Sequence, residues 1–299
     1  MSKLDFQNGF ALGLASGGVI ESSENSKLNA LESRIDESEV LDSREGSLTD
    51  KLKKVIELAK THNWMQKECI DPRLKFQKYL FYQNANLTEV PMLDYSQTTN
   101  FYALFSGCSS LKKVPPMNTA KATNTAEMFY SCWVLEEVPL LDLSNVTEMS
   151  KMFYGCKKVK TLSLSNTDKA TNMEQAFRDM AELTEITSLS TSSVVYFSYA
   201  FDGCEKLKTI PKLDVSNVYS FSKTFNNCKA LENVSFEPGC IKKSVSFLQS
   251  GNLTSESLIS IIYGFAPDTY CTLQLHSDVY GMVTDELWEY AYSIGLDIV

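Results

Sequence analysis

The sequence predicts an α/β repeat fold, a solenoid of 24-residue units preceded by an N-terminal extended or helical arm. Five of the eight cysteines recur at multiples of 24 residues, and each has a phenylalanine three residues before it and a leucine or valine three residues after it. Met180 stands where one cysteine is missing. A unit this short cannot bury its apolar face alone, so it must stack on its neighbours. The repeated positions are Cys108, Cys132, Cys156, Cys204 and Cys228, with Phe105, Phe129, Phe153, Phe177, Phe201 and Phe225, and with Leu111, Leu135, Val159, Leu183, Leu207 and Leu231.

Each unit divides into a strand, a turn, a short helix and a second turn. The run from Leu135 to Asp142 is strand-like, and Ser144 with Asn145 forms a polar turn. The apolar residues that follow have the spacing of a short helix or of two 3₁₀ turns. They are Val146, Met149, Met152, Phe153 and Cys156. Gly107, Gly155 and Gly203 occupy the position where a helix end favours a positive φ.

Two neighbouring positions of the predicted strand carry charged pairs whose sign largely alternates from unit to unit. Lys112 and Lys113 are followed one unit later by Glu136 and Glu137, and Lys160 comes one unit after that. Opposite charges on adjacent strands stabilise the pairing of those strands. The sequence leaves two interpretations open: a solvated charge ladder that fixes the register of the stack, or a groove for a charged ligand.

The sequence beyond the repeats divides into four further segments. We predict an apolar docking peptide over 1–20, an acidic arm with short helices over 21–62, an N-terminal cap over 63–86, leucine-rich repeats over 87–250 and a C-terminal cap over 251–299. In the C-terminal cap, Thr254 and Thr284 are placed to begin helices over 255–264 and 285–294, with Gly295 as a stop. Strands are predicted over 271–275 and 296–299, with Leu273 and Ile298 about one unit apart.

The N-terminal segment predicts an attachment region. Residues 1–50 contain 4 basic and 10 acidic residues and so hold −6 of the total charge of −9. Such a stretch folds poorly alone, which favours an arm that either pairs between copies, as a dimer or trimer, or packs on its own chain. An apolar, glycine-rich peptide before a polar linker can insert into a groove of another protein. The residues expected to dock are Phe6, Phe10, Leu12, Leu14, Val19 and Ile20.

Composition and motifs indicate a protein without catalytic chemistry. The chain has two histidines, His62 and His276, and neither has a cysteine or carboxylate at metal-ligand spacing. Phosphate-binding, dinucleotide-binding and serine-hydrolase motifs are missing, so we expect no enzyme activity, metal or cofactor. The net charge of −9 disfavours nucleic acid and anionic membranes as partners. We find no membrane-spanning run and no signal peptide, so the cysteines are expected as free thiols.

Three aromatic residues of the repeats are candidates for surface recognition. Trp133 occupies a position that holds small or charged residues in the other units, so its side chain is expected on the surface, and Tyr130 and Tyr154 occupy another position expected there. Exposed tryptophan and tyrosine are typical anchors of binding interfaces. The alternative is that these rings only cover the neighbouring turn.

The segment from Leu135 to Cys156 follows the pattern L-x-x-V-P-x-L-D-x-S-x-V-T-x-M-x-x-M-F-x-G-C. It resembles the BspA-like leucine-rich repeats of bacterial surface proteins, which implies a leucine-rich-repeat solenoid used for adhesion or assembly. Residues 8–20, 35–52, 253–258 and 283–288 resemble segments of phage and prophage structural proteins.

These two resemblances imply a virion protein, a head fibre or decoration or a tail adhesin, assembled in the host cytoplasm. Its N-terminal arm would attach to other virion proteins, and its repeats would meet a host surface protein or carbohydrate. The alternative is a bacterial protein at the cell surface that adheres or scaffolds.

Overall fold

The computed structural model describes residues 81–90 and 95–299. Of these, residues 95–97 belong to one compact unit of the fold, and residues 81–90 and 98–299 belong to a second compact unit. The predicted docking peptide over 1–20, the acidic arm over 21–62 and most of the N-terminal cap lie outside the described residues.

Regular secondary structure is sparse in the second compact unit. Strand β1 pairs with β2 in parallel, and β3, β4 and β5 form a parallel sheet in that order. None of the helices in the described part of the chain is long and apolar enough to cross a membrane. The elements are β1 (Thr161–Ser163), β2 (Glu185–Ser188), β3 (Val245–Phe247), α1 (Ser255–Gly264), β4 (Thr272–Leu275), α2 (Ser277–Tyr280), α3 (Asp285–Ser293) and β5 (Asp297–Ile298).

Single parallel bridges join segments that are 24 residues apart in the sequence. One series of bridges runs from Asn100 to Ser220 without a break, and others join Glu185 to Thr209 and Thr209 to Asn233. The regular spacing in the sequence therefore corresponds to structural units that repeat in three dimensions. The members of the first series are Asn100, Asn124, Glu148, Asn172, Tyr196 and Ser220.

A column of stacked phenylalanine rings forms the core of the repeats. Seven rings from Phe81 to Phe225 follow one another at centroid distances of 5.2–6.2 Å, and each is at most 1% exposed. Beside the rings, each repeat cysteine donates its thiol hydrogen to the carbonyl of a phenylalanine in the preceding unit, as Cys156 does to Phe129 at 3.1 Å. The predicted burial of both residue types is confirmed, and none of the seven described cysteines forms a disulfide.

The predicted short helix of each unit is wrong, because this segment is a series of tight turns. Met152 donates to the carbonyl of Met149 and Cys156 to that of Phe153. The third residue of each turn has a positive φ, 53° at Lys151 and 71° at Gly155, as type II turns require. The intervening N–H groups point to the next unit, where Lys151 and Phe153 donate to the carbonyls of Glu174 and Ala176 at 2.8–2.9 Å. An α-helix would withdraw those donors from the neighbouring unit.

The C-terminal segment follows the sequence prediction closely. Thr254 and Thr284 accept hydrogen bonds from the backbone N–H groups of Ser257 and Leu287, and thereby begin α1 and α3. Leu273 of β4 pairs with Ile298 of β5. The strands are shorter than predicted, and α3 ends at Ser293 instead of residue 294. Helix α2 was not predicted. His276 is its N-cap residue, and the His276 side chain accepts a hydrogen bond from the N–H of Asp278.

Candidate functional site

One column of side chains, four half-buried and Asp202 buried, connects five successive units, and we call it the recognition row: Tyr130, Tyr154, Arg178, Asp202 and Asn226. The two tyrosine rings stack at 4.9 Å, and the guanidinium of Arg178 lies 5.5 Å from the ring of Tyr154. Arg178 Nε lies 3.1 Å from a carboxylate oxygen of Asp202, whose other oxygen accepts from the amide of Asn226 at 2.7 Å. Each member therefore contacts the next along the stack.

Arg178 is the centre of the recognition row. Its guanidinium lies 5.1 Å from the ring of Tyr199 as well, and its Nη1 donates to the amide oxygen of Gln175 at 3.3 Å. The side chain of Asp202 is only 7% exposed and that of Arg178 is 30% exposed, so this ion pair is partly shielded from solvent. Burial, and then the negative charge of Asp179, raise the pKa of Tyr154. The aromatic and charged groups are thus held in place by neighbours before any partner arrives.

Trp133, the third aromatic candidate, is separate from the recognition row. It is 52% exposed, and Lys157 of the next unit lies 5.8 Å from its ring. The structure therefore brings Tyr130 and Tyr154 together and places Trp133 against a lysine instead. The six candidate docking residues, Phe6, Phe10, Leu12, Leu14, Val19 and Ile20, lie outside the described residues.

A groove opens where the regular stacking ends, and we call it the lysine groove. It has a volume of about 680 Å³ and lies between residues 219–226, residues 243–249 and strand β4. Among the described residues, two lysines line it and no aspartate or glutamate does. Its polar walls are hydroxyl and amide side chains. The lining includes Tyr219, Lys223, Asn226, Lys243, Gln249 and Gln274.

Tyrosines replace structural side chains beside the lysine groove. In three earlier units, Thr123, Thr147 and Thr171 donate their hydroxyl hydrogens to carbonyls of the preceding unit at 3.1–3.3 Å. The same position one and two units later holds Val195 and Tyr219, and Tyr219 is 72% exposed. The loss of this hydrogen bond in favour of an exposed ring indicates a local role other than stacking.

The neighbouring column of side chains changes in the same region. In four units, the side chains of Asn100, Asn124, Glu148 and Asn172 accept the N–H two residues further along at 2.9–3.0 Å. Tyr196 takes that position in the next unit and is 57% exposed. Tyr196 therefore departs from its column one unit before the lysine groove, whereas Ser220, which lines the groove, again accepts the N–H two residues further along, from Ser222 at 3.1 Å.

The charged pairs of the repeats act mainly between adjacent units. Lys206 pairs with Glu182, Lys229 with Glu205 and Lys208 with Glu232, each at 2.8–2.9 Å and each across 24 residues. Exposed pairs of this kind contribute about 0–1 kcal/mol apiece. Of these three pairs, Lys208–Glu232 lies at the predicted strand positions, and there it favours the interpretation that the charges fix the register of the stack.

The described residues hold no cluster of histidine, cysteine, aspartate and glutamate that fits a metal ion. Burial raises the pKa of the Cys132, Cys156, Cys204 and Cys228 thiols, which keeps them protonated. These cysteines therefore act as packing residues, since a thiol reacts as its thiolate. The groups that this surface presents are aromatic rings, cations and hydrogen-bonding side chains.

Comparison with known proteins yields one family. The family model described as "Mycoplasma protein of unknown function, DUF285" matches residues 61–164 and again residues 123–236. The two matches together cover more than half of the 299 residues and include the whole recognition row. No curated protein matches the sequence.

Proposed function

The chain belongs to the DUF285 family, and on that premise we propose that it is a leucine-rich-repeat solenoid of 24-residue units that recognises a partner and catalyses no reaction. The solenoid is supported by the parallel bridges between residues 24 apart and by the continuous phenylalanine column. The match of a repeat family and the resemblance to BspA-like repeats point the same way.

The recognition row is the observation that carries the binding function. Interface anchors are enriched in tyrosine, tryptophan and arginine, and the row presents two tyrosines and an arginine over three consecutive units. Ordering a long side chain at an interface costs about 0.5–1.5 kcal/mol, and contacts within the row have already met part of that cost. The row is therefore a preorganised surface for a protein or carbohydrate.

The proposed setting is a virion, with attachment through the N-terminal arm. The proposal is supported by the resemblance of residues 8–20 and 35–52 to segments of phage structural proteins. The docking peptide over 1–20 would bind another virion protein, and the repeats would meet the host surface. A bacterial surface or scaffold protein remains the second candidate, favoured by the BspA-like repeats themselves.

Mass spectrometry of purified particles tests the virion setting. We expect the chain in particles from the phage or induced prophage that encodes it, and we expect deletion of residues 1–20 to remove it from them. A matched deletion of ten residues within 21–50 should leave incorporation unchanged. Particles without the full-length chain would refute the virion setting.

A binding assay with whole host cells tests the recognition row. The purified chain with Tyr130→Ser and Tyr154→Ser should bind cells at least about tenfold more weakly than the wild type, as the loss of two anchors predicts. Tyr292→Ser is the matched control, because Tyr292 is 89% exposed and lies in α3, away from the row. Equal binding by the double variant and the wild type would contradict the role of the row.

A further inference from the structure

The lysine groove exposes backbone donors that every earlier unit uses for stacking. In the preceding five units, the residues equivalent to Lys223 donate their N–H to the next unit at 2.9–3.0 Å, and those equivalent to Phe225 do so at 2.8–3.0 Å. The N–H groups of Lys223 and Phe225 have no hydrogen-bond acceptor within the described part of the chain. Both residues line the groove.

The cause of these unpaired donors is a change of spacing. Phe225 stacks on Phe247 at 4.7 Å, so the core column continues, but only 22 residues separate the two rings. The segment that ends at Phe247 is strand β3, and it does not repeat the turns of the earlier units. Asn227 finds a substitute acceptor in the side-chain oxygen of Gln249 at 2.8 Å, while Lys223 and Phe225 find none among the described residues.

Between Phe221 and Phe225 the exposed edge offers N–H donors. The carbonyls of Phe221, Lys223 and Phe225 already accept the turn hydrogen bonds from Thr224, Asn226 and Cys228 at 3.1–3.3 Å, whereas the carbonyl of Tyr219, whose equivalents in earlier units accept an N–H of the next unit, accepts none among the described residues. Successive free N–H groups suit an anion, whose oxygen atoms are acceptors only.

Two lysines add positive charge to the same groove. The ammonium of Lys223 lies 5.7 Å from the ring of Tyr199, and that of Lys243 lies 5.9 Å from the ring of Tyr219. Neither lysine has a carboxylate within 4 Å among the described residues, although the chain as a whole carries a charge of −9. A local positive site on an acidic protein attracts a small anionic group selectively.

The walls of the lysine groove combine apolar faces with amide groups, as binding of a sugar ring requires. Phe221, Phe225 and Val245 turn into the core and are at most 5% exposed, whereas Leu248 is 51% exposed and provides an apolar wall. The exposed ring of Tyr219 provides a flat face, and Asn226, Gln249 and Gln274 provide amide groups around it. The volume of about 680 Å³ lies within the range of ligand sites, ~300–1,000 Å³.

We propose that the lysine groove binds an acidic saccharide. One sugar ring packs on Tyr219, and its carboxylate or sulfate accepts from the N–H groups of Lys223 and Phe225 and pairs with Lys223 and Lys243. This proposal deepens the proposed function, because it names a ligand class for a recognition protein.

Titration calorimetry with the purified full chain tests the proposal with four probes. These are a hyaluronan tetrasaccharide, which carries carboxylates, a heparin-derived tetrasaccharide, which also carries sulfates, neutral cellotetraose and the peptide tetraglutamate. We expect at least one acidic saccharide to bind about tenfold more tightly than both cellotetraose and tetraglutamate, and the two acidic probes distinguish carboxylate from sulfate. Equal binding of cellotetraose, or no binding of either acidic saccharide, would refute the proposal. Tetraglutamate binding as tightly as the saccharides would assign the groove to acidic peptides instead.

Variants locate the binding. The double substitution Lys223→Gln with Lys243→Gln should lower the affinity for the acidic saccharide about tenfold. Lys242→Gln, at an exposed neighbour outside the groove, should change that affinity less than about twofold. In amide NMR spectra, the acidic saccharide should shift the Lys223 and Phe225 resonances and leave the equivalent Gln175 and Phe177 unchanged. Equal losses in Lys242→Gln and the double variant, or unshifted groove amides, would refute the site. Because these assays use soluble sugars and no particle, their failure is independent of the virion and cell-binding tests.

Discussion

At the scale of single residues, the phenylalanine column and the left-handed turn positions determine the stability of the repeats. Each ring of the column contacts one ring above and one below, so a single truncation removes contacts with two units. The turn positions lower the stability, because several hold non-glycine residues at a positive φ that L-residues disfavour. Both effects are measurable by substitution.

Phe177→Ala is expected to lower the free energy of unfolding by about 3–5 kcal/mol, because it leaves a cavity between Phe153 and Phe201. Denaturant unfolding followed by circular dichroism measures the change. Tyr292→Ala serves as the control and should cost less than about 0.5 kcal/mol, since its side chain is 89% exposed. A cost below about 1 kcal/mol for Phe177→Ala would mean that the column does not stabilise the fold.

Equivalent positions in adjacent units allow a paired prediction. Gly155→Ala should cost about 1–2 kcal/mol, because φ is 71° there while the nearest atom, Ser131 Oγ, leaves room at 3.6 Å. Ser131→Gly should stabilise the fold by about 0.5–1 kcal/mol, because Ser131 has φ 55° at the same position. Ser150→Gly, in the same kind of turn at a residue without positive φ, should destabilise it. Stabilisation by all three substitutions or by none would contradict the backbone explanation.

At the scale of elements, the C-terminal helices continue the stack with different hydrogen-bond acceptors. The N–H groups of Val234 and Phe236 have no neighbouring strand, and they donate to the hydroxyl oxygens of Ser257 and Ser260 in α1 at 3.0–3.1 Å. Helix α1 therefore terminates one edge of the repeats with side chains. Its correct start at Thr254 is what places these hydroxyls.

Thr254→Ala is expected to lower the free energy of unfolding by about 1 kcal/mol, because it removes the acceptor for the Ser257 N–H at the start of α1. Thr254→Ser keeps that oxygen and should change stability by a few tenths of a kcal/mol at most. Thermal unfolding of both variants beside the wild type provides the comparison. Equal destabilisation by alanine and serine would assign the effect to the lost methyl group.

At the scale of the whole second compact unit, the repeats depend on one another. Backbone hydrogen bonds, thiol hydrogen bonds and ring stacks all join neighbouring units, so we expect an isolated unit to be unfolded. The same dependence buries the cysteines along the stack and raises the pKa of their thiols. Thiol reactivity therefore reports the opening of each unit separately.

Pulsed alkylation across a denaturant series should give one common midpoint for Cys108, Cys156 and Cys228, which lie in the first, middle and last parts of the stack. Strong coupling between neighbouring units is the physical reason. Peptide mass spectrometry quantifies each cysteine, and none of the three should react in the native protein at neutral pH. Midpoints that differ from one cysteine to the next would show that the units open independently.

The sequence predicted part of the candidate site. Trp133 departs from the residue type of its column and is exposed, whereas Tyr130 and Tyr154 are half-buried and their rings stack on each other. Arg178 and Asp202 were missed, since their importance lies in contacts across units. Tyr219 departs from the threonine column and could have been noticed in the same way, whereas Lys243 lies beyond the last regular unit, where no column predicts its place.

The sequence alone determined the repeat period, the buried phenylalanines and cysteines, and the starts of α1 and α3, because apolar spacing and capping are local properties. Only the tertiary structure decided that the middle of each unit is a series of turns, because half of its N–H groups bond to carbonyls 23 positions away. It also decided where the lysine groove opens. Rings at 22-residue spacing still stack, but the backbone beside them no longer finds its acceptors.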